Sequence, residues 1–183
     1  MEEIKGRGKL LVVEGACDGI GNTPLHYAAE WKLDNAVISL IQKGANVNAI
    51  NSNGESALFS AVKADSPSII SILVENGIIT DTRSNLTRDY LGNTPLHSAV
   101  RWNALNAAQS IISLGFDVNA QNLSGKTALS DTCRSDKKEM ANLLIENGAN
   151  VNATDCQGKS VLEYAVNETN KEFLNNIINE KTK

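Results

Sequence analysis

Aromatic rings, histidine, cysteine and proline are all scarce in this chain of 183 residues, and each shortage removes a class of explanation. Aromatic residues make up 4% of the sequence, which disfavours a core built on large rings and favours many small contacts among the abundant Leu, Ala, Asn and Gly. The two histidines, His26 and His97, have no Cys, His or carboxylate partner at metal-ligand or triad spacing. No enzyme site, metal or cofactor is therefore expected. Three cysteines, Cys17, Cys133 and Cys156, form neither a C-x-x-C pair nor an even set, so neither a zinc site nor a disulfide framework is indicated and a reducing compartment is the simplest reading. There is no excess of positive charge. A net charge of −4 argues against a general binder of nucleic acid or anionic membrane. The early apolar run Leu10 to Val13 is too brief for a signal-peptide core or a bilayer span, so a soluble, cytoplasmic protein is expected.

What the chain does have is repetition. Gly21, Gly54, Gly92, Gly125 and Gly158 are separated by 33, 38, 33 and 33 residues, a period that indicates a solenoid. The text around them recurs. Asn22-Thr23-Pro24-Leu25-His26-Tyr27-Ala28-Ala29 returns as Asn93-Thr94-Pro95-Leu96-His97-Ser98-Ala99-Val100, with weaker copies at Glu55 to Val62, Lys126 to Cys133 and Lys159 to Val166. Gly44-Ala45-Asn46-Val47-Asn48-Ala49 is repeated at Gly148 to Ala153, and more loosely at Gly115 to Ala120. Thr23 and Thr94 are placed to cap a helix, Pro24 and Pro95 sit where a missing N–H costs nothing, and Ser56, Thr127 and Ser160 keep the cap where proline is lost. Small residues at Ala28, Ala61, Ala99 and Ala165 allow close helix approach, with Thr132 the odd one out. The pairs Leu40-Ile41, Leu73-Val74, Ile111-Ile112, Leu144-Ile145 and Ile177-Ile178 mark a second helix, which Gly44, Gly77, Gly115 and Gly148 terminate.

These residues resemble the ankyrin repeat, with its T-P-L-H-x-A opening and its G-A-x-x-N closing segment, and the resemblance spans about Asp18 to Ile178. It implies an all-α repeat solenoid of helix–turn–helix units joined by β-hairpin fingers, about five repeats in all. The expected division is an N-terminal stub or partial cap over 1–17, repeats over 18–50, 51–88, 89–121 and 122–154, and a fifth repeat with a polar C-terminal cap over 155–183. Two departures stand out. Five extra residues fall within Thr82 to Arg88 and predict a longer loop, and Lys9 to Ala16 looks like the tail of a second helix set too close to Gly21 for a full unit. The resemblance also implies that His26 and His97 hydrogen-bond within the repeat and tie neighbouring units together. Cys133 reads as a small buried side chain, Cys156 as an exposed one near a hairpin tip, and Asn48, Asn119 and Asn152 as turn residues bonding the local backbone.

In ankyrin proteins the hairpin tips and the exposed ends of the inner helices form the concave binding surface, so the variable positions there carry the functional reading. Nine residues after each anchor glycine stand Glu30, Lys63, Arg101, Arg134 and Asn167, a cation in three consecutive repeats. One residue further on, Trp31 and Trp102 occupy the same repeat position, two units apart, with Ala64 between them. Tryptophan and arginine are enriched in interface hot spots. The competing reading is that each Trp folds back over its own repeat and that the cations form a solvated face. At the tips Ile20, Tyr90, Leu91 and Leu123 are further candidates. The expectation is a non-catalytic protein-binding module that grips an acidic or mixed apolar and acidic partner through Trp31, Trp102, Lys63, Arg101, Arg134, Tyr90 and Leu91, is a monomer when unbound, and takes neither nucleic acid nor membrane. The alternative is a regulatory or inhibitory subunit, or a fragment of a larger ankyrin-containing assembly.

Overall fold

The computed structural model describes residues 16–78, 87–133, 137–165 and 171–176. The expected cap over Lys9 to Ala16 lies outside them but for Ala16, the inserted stretch lies outside them but for Thr87 and Arg88, and Ile177-Ile178 and Arg134 lie outside them altogether. Within them run the helices α1 (Pro24–Glu30), α2 (Asp34–Gln42), α3 (Ala57–Lys63), α4 (Pro67–Glu75), α5 (Pro95–Trp102), α6 (Leu105–Ser113), α7 (Ala128–Thr132) and α8 (Lys138–Glu146). A 3-10 turn over Leu162–Tyr164 and a helical segment over 171–176 follow. Helices α1, α3, α5 and α7 touch in succession, and α2, α4, α6 and α8 do likewise. The result is an all-α solenoid of two stacked rows.

The motif explains the first row. Leu25, Leu58, Leu96 and Leu129 enter the core at no more than 1% exposure, and Leu40, Leu73, Ile111 and Leu144 match them in the second row. Each such side chain stabilises the stack by about 2 kcal/mol through burial, and each can do so only against a neighbouring unit. Ala28, Ala61 and Ala99 are buried between first-row helices, and Thr132 is tolerated in their column because its hydroxyl donates to the Leu129 carbonyl at 2.7 Å. Thr23, Ser56, Thr94 and Thr127 all take the extended conformation of a helix N-cap.

Some helix ends are satisfied by the adjoining units instead of by their own caps. Ala104, the N-cap of α6, has no side chain to offer. Asp65, in the α3–α4 turn, accepts the Ala107 N–H at 2.7 Å and the Asn106 amide at 2.8 Å in its place. At the far end of α5, Lys137 donates to the carbonyls of Val100 and Arg101 at 2.5 and 2.9 Å, with its cation at the negative end of the helix. Asp65 has a φ of 50°, a conformation that Asp and Asn tolerate better than Ala. Asp65→Ala should therefore cost about 2 kcal/mol in urea denaturation and Asp65→Asn less than half of that; equal losses would show that the carboxylate does not cap α6.

The described links between units are compact loops. Among the described residues the only strand pairing is two isolated bridges, Ile50 with Ser56 and Thr154 with Ser160. What closes each loop is one Asx side chain, since Asp18, Asn51, Asp89, Asn122 and Asp155 each accept two backbone N–H groups, two and four residues ahead. Backbone bonds then join each loop to the next: Ser52 to Ile20, Tyr90 to Asn53, Leu123 to Leu91 and Cys156 to Ser124, at 2.8–3.1 Å. Asn48 and Asn119 also act across units, donating to the carbonyls of Gly77 and Gly148. Locally, Asn46, Asp117 and Asn150 accept the N–H groups of Asn48, Asn119 and Asn152.

Candidate partner-binding surface

Trp31 is the residue that ends α1 and Trp102 is the last of α5, and each is 52% exposed. They are not equivalent in their surroundings. Trp31 lies against Tyr27 of its own unit, ring centroids 5.3 Å apart. Trp102 instead receives Lys63 from the preceding unit, the ammonium 5.1 Å from its ring centroid. The same ammonium is 2.7 Å from the Glu30 carboxylate, so one lysine links the ends of three successive first-row helices. Each of these exposed contacts adds about 0.5 kcal/mol, enough to bias rotamers but little more. The charge expected to face a partner at Lys63 is thus already paired with Glu30. Arg101 is exposed on the last turn of α5, and no ion pair to it occurs among the described residues.

The loop tips carry the most exposed apolar side chains. Tyr90, Leu91 and Leu123 are 65%, 63% and 75% exposed, with Ile20 at 52% on the first tip. They are held from beneath. A Cβ on Gly54 would lie 2.9 Å from the Tyr90 ring, and one on Gly92 would lie 2.8 Å from Leu123 Cγ. Tyr90 and Leu123 therefore rest on the bare backbone of the preceding unit's glycine, which fixes their position while leaving their outer faces in solvent.

Neither histidine is free for chemistry. His26 Nδ1 lies 3.1 Å from the Thr23 N–H, a group that can only donate, and Nε2 lies 3.0 Å from the Glu55 carbonyl, which can only accept. His97 repeats this with Thr94 and Lys126 at 3.2 and 2.9 Å. Both rings are therefore neutral with the proton on Nε2, and burial holds both below the ordinary histidine pKa. The Cys133 thiol is pushed up to about 11 by burial, which leaves it protonated and inert. Cys17 and Cys156 are exposed. Among the described residues no group of three or more His, Cys, Asp or Glu could hold a metal, and no helix is long and apolar enough to cross a membrane. A cavity of about 10 Å³ between α7, α8 and the 171–176 helix has room for roughly one water.

A second basic cluster lies outside the residues singled out by the motif columns. Lys126 and Lys159, each directly following its anchor glycine, place their ammonium groups 4.7 and 4.3 Å from the centroid of the Tyr164 ring. The Tyr164 hydroxyl donates to Asp155, whose other oxygen accepts the N–H groups of Gln157 and Lys159. These bonds hold the Asp155 carboxyl below its usual pKa. The signal was available in the column after each glycine, which reads Asn22, Glu55, Asn93, Lys126, Lys159.

Comparison with known proteins agrees with this architecture. A family model described as ankyrin repeats in three copies matches residues 34–122 and 109–183. Among curated proteins the chain is similar to human Rabankyrin-5 (36% identity over 92 residues, 50% of this chain and 8% of the relative) and to human Neurogenic locus notch homolog protein 2 (33% over 122 residues, 64% and 5%). It is also similar to the chicken Nuclear factor NF-kappa-B p105 subunit (33% over 106 residues, 57% and 11%). The chain thus spans only a small part of each of these relatives. Ankyrin repeats are in general protein-interaction modules without catalytic activity, and nothing in the matches indicates a catalytic domain. The two-row stack, the recurring capped motif and the family match together place this chain in the ankyrin-repeat family.

Proposed function

We propose that this chain is a non-catalytic binding module of five units, divided as the repeat spacing suggests, which acts in the cytoplasm and holds a partner protein along the ends of its first-row helices and its loop tips. The observation that carries the reading is a row of large side chains in solvent on a rigid stack: Trp31 and Trp102 on the helix ends, Tyr90, Leu91 and Leu123 on the tips. Such rings bury much area on binding while losing few rotors. Arg101 adds a cation to the same row, Arg134 holds the equivalent position in the next repeat of the sequence, and Lys63 joins Arg101 when its link to Glu30 opens, so the partner surface is acidic or mixed apolar and acidic. No nucleic acid or membrane is involved, and the unbound chain is a monomer.

A Trp31→Ala/Trp102→Ala variant should keep its fold, because both side chains are half in solvent, and should bind a partner captured from source-cell lysate at least tenfold more weakly than the wild type. Equal affinity of the two forms would remove the helix ends from the site. A second reading, a regulatory or inhibitory part of a larger ankyrin assembly, draws its support from the small share of each relative that the chain spans. It predicts that the partner is captured in a fixed ratio with further chains.

A further inference from the structure

We propose that Lys126 and Lys159, over the Tyr164 ring, form a carboxylate-binding subsite for an acidic peptide segment of the partner. This rests on the protein-binding reading above and adds to it where the acid is held. The two ammonium groups come from successive units, lie within 4.7 and 4.3 Å of one ring centroid, and have no carboxylate within ion-pair distance among the described residues. Like charges gathered on one ring repel each other, and the ring attracts both only weakly. An acidic group bound at the two ammonium ends adds to the counter-charge that Asp155 and Glu163 supply through space. The platform is built, not improvised: Tyr164 is 9% exposed and tied through its hydroxyl to Asp155, and both lysines are half-buried. Asp155 is already occupied by three donors, Gln157 N–H, Lys159 N–H and the Tyr164 hydroxyl. The Glu163 carboxylate is likewise occupied by Ser160.

Two features select an acidic peptide over a polyphosphate chain. The fields of Asp155 and Glu163 reach Lys126 and Lys159, which disfavours a continuous line of charge. Leu123, 75% exposed, belongs to the same closed loop as Lys126, whose carbonyl accepts the Asn122 N–H. The fitting segment therefore carries a carboxylate close to an apolar side chain. The column after each glycine reads Asn22, Glu55 and Asn93 in the first three units, so the acid is held at the C-terminal half of the stack, and the direction of the bound segment is set.

The test uses a fluorescent, capped peptide of alternating Glu and Leu, followed by anisotropy at low salt. Lys126→Gln/Lys159→Gln should weaken its binding about tenfold, while Lys126→Arg/Lys159→Arg and the charge-matched control Lys32→Gln/Lys43→Gln stay within about twofold of wild type. Should the double Gln variant not fold by circular dichroism, Lys159→Gln alone should weaken binding about threefold. Absence of binding by the wild type, an equal loss in the control, or tighter binding of a DNA oligonucleotide of the same charge would each overturn the subsite. None of these results depends on the captured partner, so the subsite can fail while the Trp31/Trp102 result stands, and the reverse.

Discussion

Gly125→Ala should lower the free energy of unfolding by about 3 kcal/mol, and Gly148→Ala by only about 1 kcal/mol. Both glycines have positive φ, 76° and 89°, so both substitutions incur the left-handed penalty of an L side chain. They differ in what the new methyl meets. At Gly148 it enters open space. At Gly125 it would lie 2.5 Å from the Cys156 backbone nitrogen, 2.8 Å from its sulfur and 2.9 Å from the Asp155 carbonyl carbon. The sulfur can turn away but the backbone cannot, because the Cys156 N–H is bonded to Ser124 and the Asp155 side chain holds Tyr164 and two N–H groups. The whole last loop must move. Since the contact lies between units, the loss should appear as weakened coupling, with the C-terminal units unfolding first and a shallower or biphasic urea transition. A cooperative transition with equal losses at the two positions would show that the loop tips do not carry the coupling between units.

The same geometry explains which parts of the molecule the sequence made plain. Helices were legible because their signals are local: Thr23-Pro24 and Thr94-Pro95 open α1 and α5, and the leucines of each motif reach the core where the spacing places them. The ties between units were not, with the exception of the histidines, because they depend on a residue 29 to 42 positions away. Asp65 looks like any turn acid until α6 presents an uncapped end to it. Tyr90, Leu123 and Cys156 share no chemistry, yet each stacks on the preceding glycine, since bare backbone asks only that something cover it. The column with Lys63, Arg101 and Arg134 reads as a stripe of like charge, but the Glu30 that heads it reaches Lys63 33 residues later. Repeat position fixes where each side chain lies along the stack, while its partner is set by the neighbouring unit, as Glu30 is for Lys63.

The histidines yield the other large effect. His97→Ala should cost about 4 kcal/mol at neutral pH, since it leaves the buried Thr94 N–H and hydroxyl and the Lys126 carbonyl without the ring, and opens a void in a side chain's place. His97→Gln, which can offer an acceptor and a donor, should cost about half of that. The two substitutions agree, however, in removing a titration. Burial lowers the pKa of both His26 and His97 in the folded chain, so near pH 6 the unfolded chain binds protons that the folded chain does not. Stability then rises with pH through that range: the contribution is fully present above the ordinary histidine pKa near 6.5 and is lost as pH falls from there through the folded values. The lowered carboxyls of Asp18, Asp155 and Glu163 act the same way but further down, below their ordinary values of 3.8 to 4.5. Urea denaturation of the wild type between pH 7.5 and 5.5 should therefore show a falling midpoint that His26→Gln/His97→Gln flattens. A double variant that keeps the wild-type slope would mean that the rings accept a proton without releasing the Thr23 and Thr94 N–H groups, against the tautomer that the hydrogen bonds require.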